Sequence, residues 1–174
     1  MPNWCQNTLT LYHEDPKMID ELENKLKLEE PEIFKHLRPM PQNEEDWYSW
    51  NVEHWGTKWD ASVMDSERVD ENTINIVMDT AWSPPVRLYD YLVARGYGVD
   101  AHYLEEGMGF VGRYFNGEDE EYELDYSIPT LEEFKKGIPQ ECIDHWGLDM
   151  QWEDNREFNN ELDEMEKKDD DIIH

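Results

Sequence analysis

Two stretches constrain the fold more than any others. Asn7-Thr-Leu-Thr-Leu-Tyr12 and Thr73-Ile-Asn-Ile-Val-Met-Asp-Thr80 alternate polar and apolar residues. Successive side chains of a strand point to opposite faces, so each reads as a half-buried strand. Each is followed by a helix start. Asp15-Pro16 puts proline in a first turn, and Met18, Ile19, Leu22 and Leu26 recur at helical spacing, predicting a helix over 16–28. Trp82-Ser-Pro-Pro85 ends the second stretch, and Val86, Leu88, Tyr89, Leu92 and Val93 predict a helix to Arg95, closed by Gly96. A strand at about 58–66 and one over Tyr97–Glu105 complete the order β–α–β–β–α–β. That order implies an α+β fold of the ferredoxin-like, split β-α-β kind, an antiparallel sheet with two helices on one face.

Further segments decorate this frame. Ile33, Phe34 and Leu37 form a short apolar turn or helix closed by Arg38-Pro39-Met40-Pro41. Residues 42–58 read as a loop-like insert dense in tryptophan. Residues 108–115 and 121–126 predict an added β-hairpin turned at Asn116-Gly117. Thr130-Leu-Glu-Glu133 is a capping-box pattern, so the chain beyond Pro129 reads as mostly helical. The expected organisation is an α+β domain over 1–126 and an acidic helical extension over 127–174. Trp152, Phe158, Leu162 and Met165 are that extension's sparse apolar anchors.

The 174 residues include 43 Asp and Glu against 15 Lys and Arg, a formal charge of −28. The imbalance grows along the chain, with 23 acids and 6 bases in residues 101–174. Direct binding to nucleic acid or to an anionic membrane is disfavoured, because phosphate contacts need Lys and Arg. A basic partner is favoured. No apolar run reaches the roughly 20 residues that cross a bilayer. Met1-Pro-Asn-Trp-Cys-Gln6 lacks the basic and apolar regions of a signal peptide, so a cytoplasmic location is expected. Cys5 and Cys142 fit free thiols in a reducing compartment and are too few for a four-thiolate metal site. No cofactor and no metal are expected. The six histidines show neither i, i+4 pairs nor a His-Glu-x-x-His pattern.

Three motifs carry a likeness. Pro2-Asn-Trp-Cys-Gln-Asn7, Trp50-Asn-x-x-x-Trp-Gly-Thr-Lys-Trp-Asp60 and Thr80-Ala-Trp-Ser-Pro-Pro85 occur in this order. Over residues 2–126 the chain resembles the YubB-like group of phage- and plasmid-encoded proteins with a ferredoxin-like domain. The resemblance implies the fold and a mobile-element origin, which would place the protein in host cytoplasm. It implies no activity.

Two sets of residues are candidate sites. Trp50, Trp55, Trp59 and Trp82, with Asn51, Lys58 and Asp60 as polar groups, could line a ligand pocket. Equally, the rings could cover one end of the sheet, with Asn51 tying down a loop and Lys58 pairing with a carboxylate. Glu118, Asp119, Glu120, Glu121, Glu123 and Asp125, then Glu153, Asp154 and Glu157, form acidic runs. Asp119, Glu121, Glu123 and Asp125 alternate, so a strand would project them from one face about 6.6–6.8 Å apart, with Tyr122, Leu124 and Tyr126 toward the core. Such a row approximates a nucleic-acid backbone, although an acidic surface also serves solubility. The leading expectation is a non-enzymatic phage or mobile-element protein. It would inhibit a basic, nucleic-acid-binding host or defence protein by mimicry, as an anti-defence factor, with Trp152 as an exposed apolar anchor. The alternative is a ligand-binding or enzymatic domain centred on the Trp-rich motifs.

Overall fold

The computed structural model describes residues 1–173, without the side chains of Asp170, Asp171 and Ile173. His174 and the last two carboxylates of the 149–171 acidic run thus lie outside the described residues. Among the described residues are six strands and seven helices, an α+β fold with an open antiparallel sheet.

Strand β1 (Trp4–Tyr12) lies between β3 (Thr73–Ala81) and β4 (Gly98–Glu105), antiparallel to both. Strand β2 (Ser62–Arg68) pairs outside β3, with a bulge between Val63 and Asp65. Beyond β4 come β5 (Phe110–Phe115) and β6 (Glu118–Glu123), giving the order β2-β3-β1-β4-β5-β6.

The alternation seen in the sequence is the alternation of burial. Cys5, Asn7, Leu9 and Leu11 of β1 are buried, as are Ile74, Ile76, Met78 and Thr80 of β3. The apolar members of this face join Ile19 and Leu22 of α1 (Pro16–Leu26) and Leu88, Tyr89 and Leu92 of α4 (Val86–Ala94) in one core. The opposite face keeps Trp4, Tyr12 and Val77 exposed. Asp15 caps α1, its carboxylate accepting the Lys17 N–H at 3.1 Å.

Several boundaries differ from expectation: β2 runs Ser62–Arg68 against an expected 58–66, β5 starts at Phe110 and not at 108, and two further differences have a clear cause. Residues 42–58 are not all loop, because α3 (Trp47–His54) forms within them. Asp46 starts it by accepting the Ser49 N–H at 3.1 Å, a capping signal masked by the density of aromatic rings. The second strand of the hairpin begins at once after the turn, at Glu118 and not at 121. Asn116 and Gly117 both have positive φ, 46° and 104°, as a two-residue turn requires, so no spacer precedes β6.

The chain divides into two compact units, residues 1–121 and 122–174. In the second, α5 (Leu131–Lys136) and α6 (Gln140–Trp146) pack on α7 (Leu148–Ile173). Thr130 caps α5 through the Glu133 N–H at 3.2 Å. Tyr126 stacks on Phe134 and donates a hydrogen bond to Gln151 of α7 at 2.7 Å. No described helix is long and apolar enough to cross a membrane.

Candidate functional site

The three sequence motifs meet at one end of the sheet, joined by buried polar groups. Asn7 donates from Nδ2 to the Thr80 hydroxyl and to the Cys5 carbonyl, each at 2.9 Å. Thr80 donates to the Ser83 carbonyl at 2.7 Å, and Ser83 donates to the Gly56 carbonyl at 2.6 Å. Thr57 reaches the Ala81 carbonyl at 2.8 Å, and the Trp82 N–H reaches the Asn3 carbonyl at 2.8 Å. The polar residues of the motifs therefore splice the strand ends to the Trp-rich segment. Burial pushes the Cys5 thiol up to about 12, against a lowering hydrogen bond with Thr80. A thiol held neutral in this way is a poor nucleophile.

Beside this junction the Trp-rich segment divides between core and cavity. Trp50 and Trp55 are core residues, packed edge to face at 5.6 Å, and Trp55 donates from Nε1 to the Arg38 carbonyl at 3.1 Å. Asn51 ties down the loop through the Lys58 carbonyl at 2.9 Å. Lys58 lies over aromatic rings, its ammonium 4.6 Å from the Trp59 centroid and 5.4 Å from that of Tyr48. A cation–π placement thus replaces the carboxylate pairing that the structural alternative anticipated. Trp82 is 46% exposed and has a positive φ of 71°, a strained conformation for a bulky residue.

A cavity of about 610 Å³ opens at this segment. Trp47, Trp55 and Trp59 wall it, with Pro39 and Met40, while Lys35, Glu44, Asn51 and Asp60 supply polar groups. Of the seven residues that the Trp-rich motifs offer for a pocket, Asn51, Trp55, Trp59 and Asp60 line it. Trp50, Lys58 and Trp82 do not belong to its lining. Lys35, Pro39, Met40 and Glu44 come from outside the motifs. Asp60 anchors the start of that segment, its carboxylate accepting the N–H groups of Phe34, Lys35 and Ala61 at 2.9, 3.0 and 2.8 Å. Asp60 thereby caps α2 (Ile33–Leu37) from 26 residues away, where the local residue Glu32 supplies no side-chain cap. Burial raises the pKa of Asp60, and these N–H groups oppose the rise.

The acidic residues occupy two elements. Glu118, Asp119, Glu120 and Glu121 of β6 are all exposed, as is Glu123. Asp125 lies beyond the strand, bonded to Ser127, so it does not continue the row. The face assignment also changes. Tyr103, a buried β4 residue, crosses Gly112 of β5 and donates to Asp119 at 2.7 Å. Asp119 is therefore on the sheet face that carries Tyr103 and Ala101, and its carboxylate is partly engaged in structure. Burial raises the pKa of Asp119, while the Tyr103 hydroxyl lowers it.

On α7, Glu153, Asp154 and Glu157 are exposed. Asp149, Glu153, Glu157 and Glu161 recur every fourth residue, which aligns them about 6 Å apart along one side of the helix. Trp152 is not an exposed anchor: it is half-buried and donates from Nε1 to the Ile128 carbonyl at 3.1 Å. Arg156 donates to the same carbonyl at 3.0 Å, its guanidinium 5.0 Å from the Trp152 ring centroid. Phe158, Leu162 and Met165 are exposed instead.

Among the described residues no group of three or more His, Cys, Asp or Glu is placed to hold a metal ion. No family model, curated protein or solved structure matches the chain.

Proposed function

We propose that this protein acts without catalysis, by binding a basic, nucleic-acid-binding host or defence protein through carboxylates that stand in for phosphates. The observation that carries this reading is the α7 row of Asp149, Glu153, Glu157 and Glu161. It sets like charges about 6 Å apart on a rigid helix, comparable with the step between phosphates along a strand. Like charges at i, i+4 destabilise a helix, so the arrangement costs stability and is consistent with use by a partner. The β6 carboxylates add a second acidic element. We read the sheet as ferredoxin-like, supported by the order β2-β3-β1-β4 with antiparallel neighbours. On the motif resemblance we further propose a YubB-like, mobile-element origin and action in host cytoplasm.

The test is capture from bacterial lysate on the immobilised protein, beside a variant carrying Glu153→Lys, Glu157→Lys and Glu161→Lys. The expected result is a basic nucleic-acid-binding protein retained at low salt, released by high salt, displaced by duplex DNA and absent from the variant. Capture that ignores salt, DNA and the triple substitution refutes the reading.

A second reading, ligand binding at the Trp-rich segment, is favoured by the cavity itself. Its volume falls in the range of small-molecule sites.

A further inference from the structure

Resting on that second reading, we infer that the cavity takes a small organic cation, one whose positive head group is an alkylated ammonium. Three tryptophans provide the wall, and a tryptophan face attracts a cation more strongly than any other side-chain ring. The fold already shows this attraction, because the Lys58 ammonium rests 4.6 Å from the Trp59 ring centroid.

Charge weighs against an anion, with the Lys58 ammonium over the Trp59 wall counted beside the groups of the lining. The lining holds two carboxylates, Glu44 and Asp60, and one ammonium, Lys35. Lys35 is already bonded to the Glu32 carboxylate, outside the cavity lining. The donors on Asp60 are backbone N–H groups, which leave its formal charge in place. A chain of net charge −28 adds a long-range field of the same sign.

Hydration decides the kind of cation. The carboxylates of the lining already accept backbone N–H groups, Asp60 from Phe34, Lys35 and Ala61 and Glu44 from Asp46, and Pro39, Met40 and the indole rings offer no strong acceptor, so a primary ammonium would replace its water only in part. A trimethylammonium head has no N–H to satisfy and presents methyl groups to the rings. Trp47 and Trp59 are 45% and 37% exposed, so the site is reachable from solvent.

The experiment titrates the full chain with choline and, separately, with its neutral carbon isostere 3,3-dimethylbutan-1-ol, following indole N–H signals by NMR. An N-acetyl trimethyllysine amide forms a third arm, distinguishing a head group carried on a free small molecule from one carried on a protein side chain. The expected result is saturable binding of at least one of the two cations, about tenfold tighter than the isostere. Trp59→Leu, which keeps apolar bulk but removes the π face, should weaken the cation about fivefold and leave the isostere unchanged. Its fold is checked by circular dichroism, and Glu44→Gln, an exchange at a half-buried position, is the second variant expected to weaken the cation alone. Equal binding of cation and isostere overturns the inference while leaving a ligand site. Absence of saturable binding by all three probes overturns both.

Discussion

Replacing Thr80 by valine tests whether the motif residues hold the junction together. Thr80 is fully buried, accepts from Asn7 and donates to the Ser83 carbonyl. Valine matches its shape but removes both bonds, each contributing about 1 kcal/mol. It also strips a buried carbonyl of a donor, a penalty of about 1–3 kcal/mol. The added methyl returns about 0.8 kcal/mol. The net loss is about 2–4 kcal/mol, or about 4–16 °C in melting temperature for a chain of this length. Thr80→Ser keeps the hydroxyl and gives up one methyl, about 1 kcal/mol. Urea unfolding followed by tryptophan fluorescence measures both variants against the parent. The expected order of stability is parent, then serine, then valine. A valine variant within about 0.5 kcal/mol of the parent, or one more stable than the serine variant, would show that the hydrogen bonds contribute little and that burial alone organises the motifs.

Other expectations concern the sheet, the thiols and pH. Gly112→Ala would drive a Cβ into the Glu120 carbonyl oxygen and the Tyr103 hydroxyl end, costing about 1–3 kcal/mol in a thermal melt. Gly117→Ala meets open space and is penalised only by its φ of 104°, about 1 kcal/mol. At pH 8 only about one Cys5 thiol in ten thousand is ionised, and both cysteines are buried. Ellman's reagent should therefore titrate neither in the native protein and both in urea; rapid native reaction at Cys5 would refute this. Burial raises the pKa values of Asp60, Asp79, Asp119 and Glu121. Between the ordinary carboxylate range and these raised values, the native state binds more protons than the unfolded one. Stability then falls as pH rises through that window and levels off above it. Asp46 and Asp125 have lowered values and act in the opposite sense. Four raised carboxylates against two lowered ones, with self-repulsion of the net charge, predict a urea midpoint that falls as pH rises from about 4 through the window just above the ordinary carboxylate range, while His36, lowered by burial, acts in the opposite sense nearer neutrality. A midpoint rising through that carboxylate window contradicts the assignment.

The sheet was legible because its information is local. The period-2 patterns at 7–12 and 73–80 coincide with β1 and β3, and Asp15-Pro16 and Asn116-Gly117 sit at the helix start and the turn they signal. What could not be read depends on contacts between distant residues. Asp60 in the sequence is one acid among 43, and only the fold shows it capping a helix that starts at Ile33. Lys35, Met40 and Glu44 line the cavity from a segment outside the Trp-rich motif, of which Asp60 holds only the start, so no spacing within the motif could have named them. Trp152 is half-buried for a related reason: its Nε1–H finds a backbone acceptor 24 residues earlier. The alternating row at 119–125 ends with β6 at Glu123, and Asp119 bonds to Tyr103 on the buried side, because alternation identifies two faces without saying which meets the core.

The Asp60 bond has one more implication. The same carboxylate borders the cavity and holds the first turn of α2. Anything that draws on its charge, whether an occupant of the cavity or a proton, competes with three backbone amides, two of them in that turn, for the same oxygens. Occupancy and the integrity of a neighbouring turn are thereby linked, and amide-exchange rates at Phe34 and Lys35 become a built-in gauge of what sits beside them.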